Sequence, residues 1–420
     1  MAQESAQTLV AHVLRRLTFS PDPSIIDRFV KGATSPQAAA QAAIDWAQGA
    51  SPLPLNPSTL PDDGWDPALR GWIDNMRSPE AGLHEKMTWF WHGHFATSSE
   101  KVGNQKLLHA QQGLFRTHAT GNFAALLREI TTDPAMLLYL DGAGSSVEAP
   151  NENYARESME LFTIGRGNFT EADVKAGALV LAGWQVDYET GKVTLDEGQA
   201  LGGEVRFLGR QGRLSVDDYV ATLLAHPNCA PFVASKIYAY IVGQQPSKER
   251  AAELGDVFRS AKYEITPLLA GIVNGPEFLE HRMNRPRFPI EWFIAAVGAL
   301  GEPREGEDDD ISPWTLEQLD QLPYKPPNVA GWPAGPKWLS ASQQLGRAAY
   351  AWGNSWKMRP IEGTNMVAAA LKRCGIHECS ESTKAALHEA AMATAGSADA
   401  LAVSRRLITA ALLSPEFALA

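Results

Sequence analysis

NENYARESMELFTIG at 151–165, continuing with TEADVKAGALVLAGW at 170–184, is the stretch whose reading decides the fold. At helical spacing the first run puts Asn153, Glu157 and Glu160 on one face. Tyr154, Ser158, Leu161 and Phe162 fall on the flank that meets a core. Gly165 can close this helix through a left-handed cap. Thr170-Glu-Ala-Asp173 then opens a second helix as a capping box, with Asp in the place of Glu or Gln. That second helix, expected from Val174 to Trp184, is apolar almost all round and is predicted to be buried. Carboxylates and amides pressed against so apolar a neighbour need internal partners or a ligand, because an unpaired polar group is costly to bury.

Outward from this stretch the chain stays helical. Helical periodicity runs through 7–18, 23–32, 35–48, 66–77, 80–93, 104–119 and 122–131. It returns at 215–225, 229–243, 247–260, 264–273, 287–300 and from 341 onward. Residues 185–208 break the pattern: the run from Gln185 alternates and Glu189-Thr-Gly-Lys192 makes a turn, which predicts a small β-hairpin insertion. Residues 50–64 and the acidic run 301–313 read as loops. Thr132-Asp-Pro, Ala225-His-Pro, Asn274-Gly-Pro and Leu413-Ser-Pro each follow an apolar helix and read as helix–proline–helix corners. Their irregular spacing does not make a solenoid. The expected fold is mainly α: one large multi-helix domain over 1–420, with the hairpin near 185–208 and a Trp/Pro-rich loop at 322–338.

Composition narrows the function classes. The 420 residues are 45% hydrophobic and 20% charged, as in an ordinary soluble globular protein. A net charge of −11 argues against a nucleic-acid or anionic-membrane surface. No apolar run reaches the roughly 18 residues of a membrane span. No leader is visible, so the chain reads as cytoplasmic as written, or as an exported mature form. Arg15-Arg16 lies inside an amphipathic helix and is rejected as a twin-arginine signal. Cys374 and Cys379 bracket His377; they either pair or share a metal, or are ordinary thiols in a turn.

Three further stretches join the first: EKMTWFWHGHFATS at 85–98, RPRFPIEW at 285–292 and PPNVAGWPAGPKW at 326–338. Together, in this order and over most of the chain, they resemble a large bacterial family catalogued as domain of unknown function number 1800. The resemblance implies no settled activity. It does imply frequent export, and commonly a His where this chain carries Phe162. A metal ligand at that position would be lost here.

The residues themselves suggest two kinds of site. On the first stretch after residue 80, helical spacing aligns Glu85, Trp89 and His92, while His94 shares their site only if Gly93 ends the helix. One reading brings Glu85, His92, Glu157 and Glu160 together between two helices as an acid–base pair or a metal site. With His94 added, such a set suits a divalent ion, Fe, Mn or Zn. Asn151, Asn153 and Arg156 would then touch substrate. The other reading is a buried network in which the imidazole and carboxylates satisfy one another. Arg156 is either a salt-bridge anchor or a clamp for a carboxylate or phosphate. Trp332 and Trp338, and likewise Trp184, either line a cleft for a small molecule, glycan or peptide or plug into the helical body. Arg282, Arg285 and Arg287 read as a helix-end surface feature. Function therefore stands between a metal-dependent or acid–base enzyme and a non-catalytic binding or assembly protein whose tryptophan loop meets a partner.

Overall fold

The computed structural model describes residues 5–51, 53, 65–301, 314–393 and 400–420. Most of the expected loop at 50–64, and all of 302–313, lie outside the described residues. The fold is mainly α, as its sequence predicts.

Local chemistry sets the helix starts. Ser5, Asp22, Ser35, Asn104 and Asn122 each accept a hydrogen bond from a backbone N–H of the helix they open. Three of the four corners start a helix at their proline, whereas after Ala225 the next helix begins at Cys229, past Pro227. Helix Phe123–Thr131 is followed by Pro134–Tyr139, with Asp133 as cap and Pro134 in its first turn. Ile265–Val273 hands over to Pro276–Glu280 with Pro276 in the first turn and Gly275, which has no side chain to cap with, before it. Arg15 and Arg16 are buried, and they donate to Gly375, Ala420 and His281 carbonyls and to Asn284.

The deciding stretch folds with two departures. Helix Glu152–Glu157 runs on as a π-helix from Ser158 to Thr163, and the Gly165 N–H then closes on the Met159 carbonyl at φ +81°. The wider π turn shifts the register, so the even 153/157/160 face ends after Ser158. The capping box at Thr170 and Asp173 forms, but its helix, Glu171–Val180, stops short of Trp184. Trp184 instead begins a β-strand. At Gly183 φ is +95°, and an added Cβ would lie 2.8 Å from that of Ala200, so the backbone turns there in a way only glycine permits. β1 (Trp184–Val186) pairs antiparallel with β2 (Val193–Leu195), the expected hairpin. A second hairpin, β3 (Val205–Phe207) with β4 (Arg210–Gly212), extends the insertion beyond its predicted end.

Among the described residues two apolar clusters make the core. The larger gathers Leu14, Trp91, Phe95, Phe123, Tyr154, Ile237 and Leu268 among others; the second gathers Trp89, Trp292, Phe293, Trp338 and Leu407. Helix Gly82–His94 contributes to both, with Met87 and Trp91 in the first and Trp89 in the second.

Candidate ligand-binding cleft

Helix Gly82–His94 is buried over nearly its whole length, so each of its polar side chains must find a partner. Glu85 Oε2 accepts from the Trp72 indole at 3.2 Å, and Glu85 is ion-paired with Arg116. His92 Nε2 accepts the Tyr324 backbone N–H at 3.0 Å. Tyr324 holds φ at +62°, in the left-handed region that such a residue seldom enters. Burial pushes the His92 imidazole down to about 3, so the ring is neutral. Trp72, Trp89, Tyr324 and Trp332 surround it, with ring centres 5.1 to 5.5 Å away.

Next to Glu85 in the chain, Lys86 Nζ meets Glu291 at 2.5 Å and also donates to the Thr18 carbonyl at 2.9 Å. Arg285 grips the same carboxylate with both terminal nitrogens at 2.9 and 3.0 Å, and the Phe288 N–H adds a bond at 3.0 Å. Burial by itself would raise the Glu291 carboxyl. Arg285 and Lys86 outweigh that and hold it at about 2. The arginines read from sequence as a surface feature are thus corrected at two positions: Arg285 and Arg287 are buried.

The same helix also borders a cleft of about 610 Å³. Trp89, Phe90, Gly93 and His94 form one wall. The helix Cys229–Val242 supplies Lys236, Ala239 and Tyr240, which share one face at i, i+3 and i+4. Arg285 and Phe288 come from the third motif, with Asn284 just before it, and Trp332, Ala334, Gly335 and Pro336 from the fourth. The rings interlock at the wall: Trp332 stacks on Trp89 at 5.1 Å and 21°, and Phe90 meets Tyr240 at 5.3 Å. Gly331 makes this approach possible. At φ +76°, any Cβ there would lie 2.2 Å from the Gly93 carbonyl oxygen.

The opening motif joins the cleft through its backbone. The π turn leaves the Leu161 and Phe162 carbonyls at a helix end without intrahelical donors. Lys236 Nζ donates to the Leu161 carbonyl at 2.7 Å, and His94 Nε2 donates to that of Phe162 at 3.0 Å. Both side chains line the cleft. Burial drives His94 well below its usual range, with the Lys236 charge adding to the effect. Burial pushes the Lys236 amine down to about 8.

The structure distributes the residues expected to form a site. Glu85 and His92 are held by Arg116, Trp72 and the Tyr324 N–H, and the His92 Nε2 lone pair is already used. Glu160 pairs with Arg166, and Glu157 is half-buried, its carboxyl raised by burial and by the charge of Glu160. Among the described residues no group of three or more His, Cys, Asp or Glu side chains is arranged to hold a metal ion. Glu85, His92, His94 and Glu160 are thus bonded to different neighbours, while Glu157 and Glu160 act on one another through their charges.

The remaining candidates divide in the same way. Arg156 takes both Glu171 oxygens at 2.7 Å and also pairs with Glu152, which makes it an anchor between adjacent helices. Asn151 caps its helix by accepting from the Asn153 N–H, and the Asn153 amide reaches Asp141 at 3.4 Å. Trp184 sits half-buried on β1, away from the cleft lining. Trp338 is fully buried and donates to the Pro333 carbonyl at 2.7 Å, so it supports the loop from inside. Trp332 alone of the three tryptophans lines the cleft. Cys374 and Cys379 are free thiols.

Sequence reasoning missed Lys236, Tyr240, Gln244 and Gln321, which all line the cleft. One signal was available: Lys236 is the single charged residue of CAPFVASKIYAYIV.

Three of the four quoted stretches line this cleft, and the opening stretch reaches it through the Leu161 and Phe162 carbonyls. A family model described as "Protein of unknown function (DUF1800)" matches residues 12–419. The chain belongs to that family. No curated protein and no solved structure matches it. The DUF1800 motifs of this chain are therefore distant in sequence and joined in space by buried side chains. Among the described residues, no helix is long and apolar enough to cross a membrane.

Proposed function

We propose that the protein binds a small organic molecule in the cleft between Trp332 and the helix Cys229–Val242. One observation carries this reading: three separated motifs and the helix Cys229–Val242 supply one aromatic-walled cavity of about 610 Å³, a size in the range of small-molecule sites. Apolar ring faces come from Trp89, Phe90, Tyr240, Phe288 and Trp332. A few polar groups, Gln244, Gln245, Asn284 and Gln321, are set among them. That mixture suits a flat or cyclic body carrying a small number of polar substituents. In this reading the Glu85 and His92 pairings keep the helix in place and take no part in chemistry.

The neutral fluorescent probe N-phenyl-1-naphthylamine tests it. Saturable binding at one site is expected, and Ala239→Trp, which fills the cleft from the Cys229–Val242 helix, is expected to remove it with circular dichroism unchanged. Absence of saturable binding, or full binding by Ala239→Trp, would overturn the reading. We also propose that the chain forms one folding unit, since helix Gly82–His94 belongs to both apolar clusters. A single coincident urea transition followed by tryptophan fluorescence and by far-ultraviolet dichroism is expected.

A further inference from the structure

The cleft has a charge preference built into it. Its lining contains Lys236 and Arg285 and no Asp or Glu. Arg285 spends both terminal nitrogens on Glu291, which lies behind it, so its charge is largely answered there. Lys236 differs. Its ammonium has three N–H bonds to give, and the hydrogen bond found for it is to the Leu161 carbonyl. Among the described residues no carboxylate pairs with it within ion-pair distance. It rests over the Phe232 ring at 5.1 Å, and the same side chain borders the open cavity. A cation in such apolar surroundings, with donors unspent and no counter-charge, is stabilised by an anion that arrives with the ligand.

We infer that the ligand of this cleft is an organic anion whose charged group docks on Lys236 Nζ while its apolar body lies along the Trp89–Trp332 and Tyr240 faces. This rests on the cleft being a binding site. It deepens that reading by naming the chemical class: a compact carboxylate, sulfonate or phosphate ester on a ring or short hydrocarbon frame. Tyr240 follows Lys236 by one helical turn, so head and body are recognised along a single helix face. The Asn284 and Gln244 amides border the same space as neutral groups.

Two probes with the same aromatic frame separate the claims. N-phenyl-1-naphthylamine carries no charge, and 8-anilinonaphthalene-1-sulfonate adds a sulfonate. At pH 7 the sulfonate is expected to bind about tenfold tighter, the size of one charge-assisted contact. Lys236→Met should bring the ratio of the two affinities to near one, while Lys236→Arg, which restores charge and donors, should keep it. The ratio is the readout, so a general loosening of the cleft cancels. Lys337→Met, on the exposed side of the tryptophan loop, controls for net charge and should leave the ratio as it was. The wild-type ratio should also fall as pH rises through about 8, where the Lys236 amine loses its proton. If both probes bind with equal affinity, or if Lys236→Met keeps the preference, the anion assignment is overturned and the cleft stands. If the neutral probe fails to bind saturably, the cleft reading itself has failed.

Discussion

On the face of helix Gly82–His94 that carries Glu85 and His92, the polar groups are matched by Arg116, the Trp72 indole and the Tyr324 N–H. On the face that carries Phe90, Gly93 and His94, the neighbours are rings, a proline-rich loop and open space. The two faces share one helix and one set of backbone bonds. What differs is what packs against them. Side chains with complementary charge close the first face. The second is held open because Gly331 and the prolines fix a loop that brings Trp332 onto Trp89 and goes no deeper. A histidine beside a carboxylate in the sequence is therefore poor guidance to chemistry; the useful question is whose lone pairs are already spent.

Breaking the buried Lys86–Glu291–Arg285 cluster behind the cleft should cost stability most. Glu291→Ala leaves Lys86 and Arg285 buried without their counter-charge, and a loss of about 3–5 kcal/mol by urea titration is expected. The wild type carries a matching acid signature. The Glu291 carboxyl is held at about 2 in the fold, below its ordinary value near 4.5. Its contribution is therefore present above the ordinary value and is lost as pH falls toward about 2. Glu291→Gln should remove that part of the acid dependence.

Gly331→Ala attacks the junction between the two faces. Its Cβ would meet the Gly93 carbonyl at 2.2 Å, at a φ of +76°. Strain of about 3 kcal/mol is expected, read as a lower melting temperature, together with loss of neutral-probe binding as the tryptophan loop shifts. If the variant folds and binds like the wild type, the loop does not shape the cleft.

Glu85→Gln sharpens the contrast. It keeps an acceptor for Trp72 and removes the charge opposite the buried Arg116, at a cost of about 2 kcal/mol. Probe affinity should not change, because Glu85 is no part of the cleft lining. A fall in affinity with stability intact would return Glu85 to the site. The smallest effect is expected from Trp332→Phe, which trims a stacked pair by about 1 kcal/mol but weakens probe binding several-fold. Equal probe affinity in this variant would remove Trp332 from the recognition surface.

Much of the helical skeleton was legible in the chain. Asp22 before Pro23, Thr170 with Asp173, and Asp133 before Pro134 announce helix starts through bonds made within three residues. The Glu189–Lys192 turn announced the first hairpin on the same local terms. Where local signals were incomplete the reading slipped. The apolar run after Val180 looked like more helix, but at Gly183 the nearby Ala200 excludes any side chain. Nor did Ser158–Thr163 advertise the π turn that frees two carbonyls for His94 and Lys236.

The candidate site was legible only as ingredients. The four motifs, with His94 and Trp332 among their residues, could be picked out as unusual, and the sequence alone determined that polar and aromatic groups sat on helices and a rigid loop. Tertiary structure decided which lone pairs were used. It put Arg116 on Glu85, took His92 for the Tyr324 N–H and turned Trp338 inward. It also brought Lys236, an isolated charge in an apolar helix, to a cavity shared with segments far along the chain. The physical reason is range. Caps and periodicity act over a few bonded neighbours, whereas a cleft is what remains when distant surfaces have finished packing, and its charge depends on which partners that packing left out.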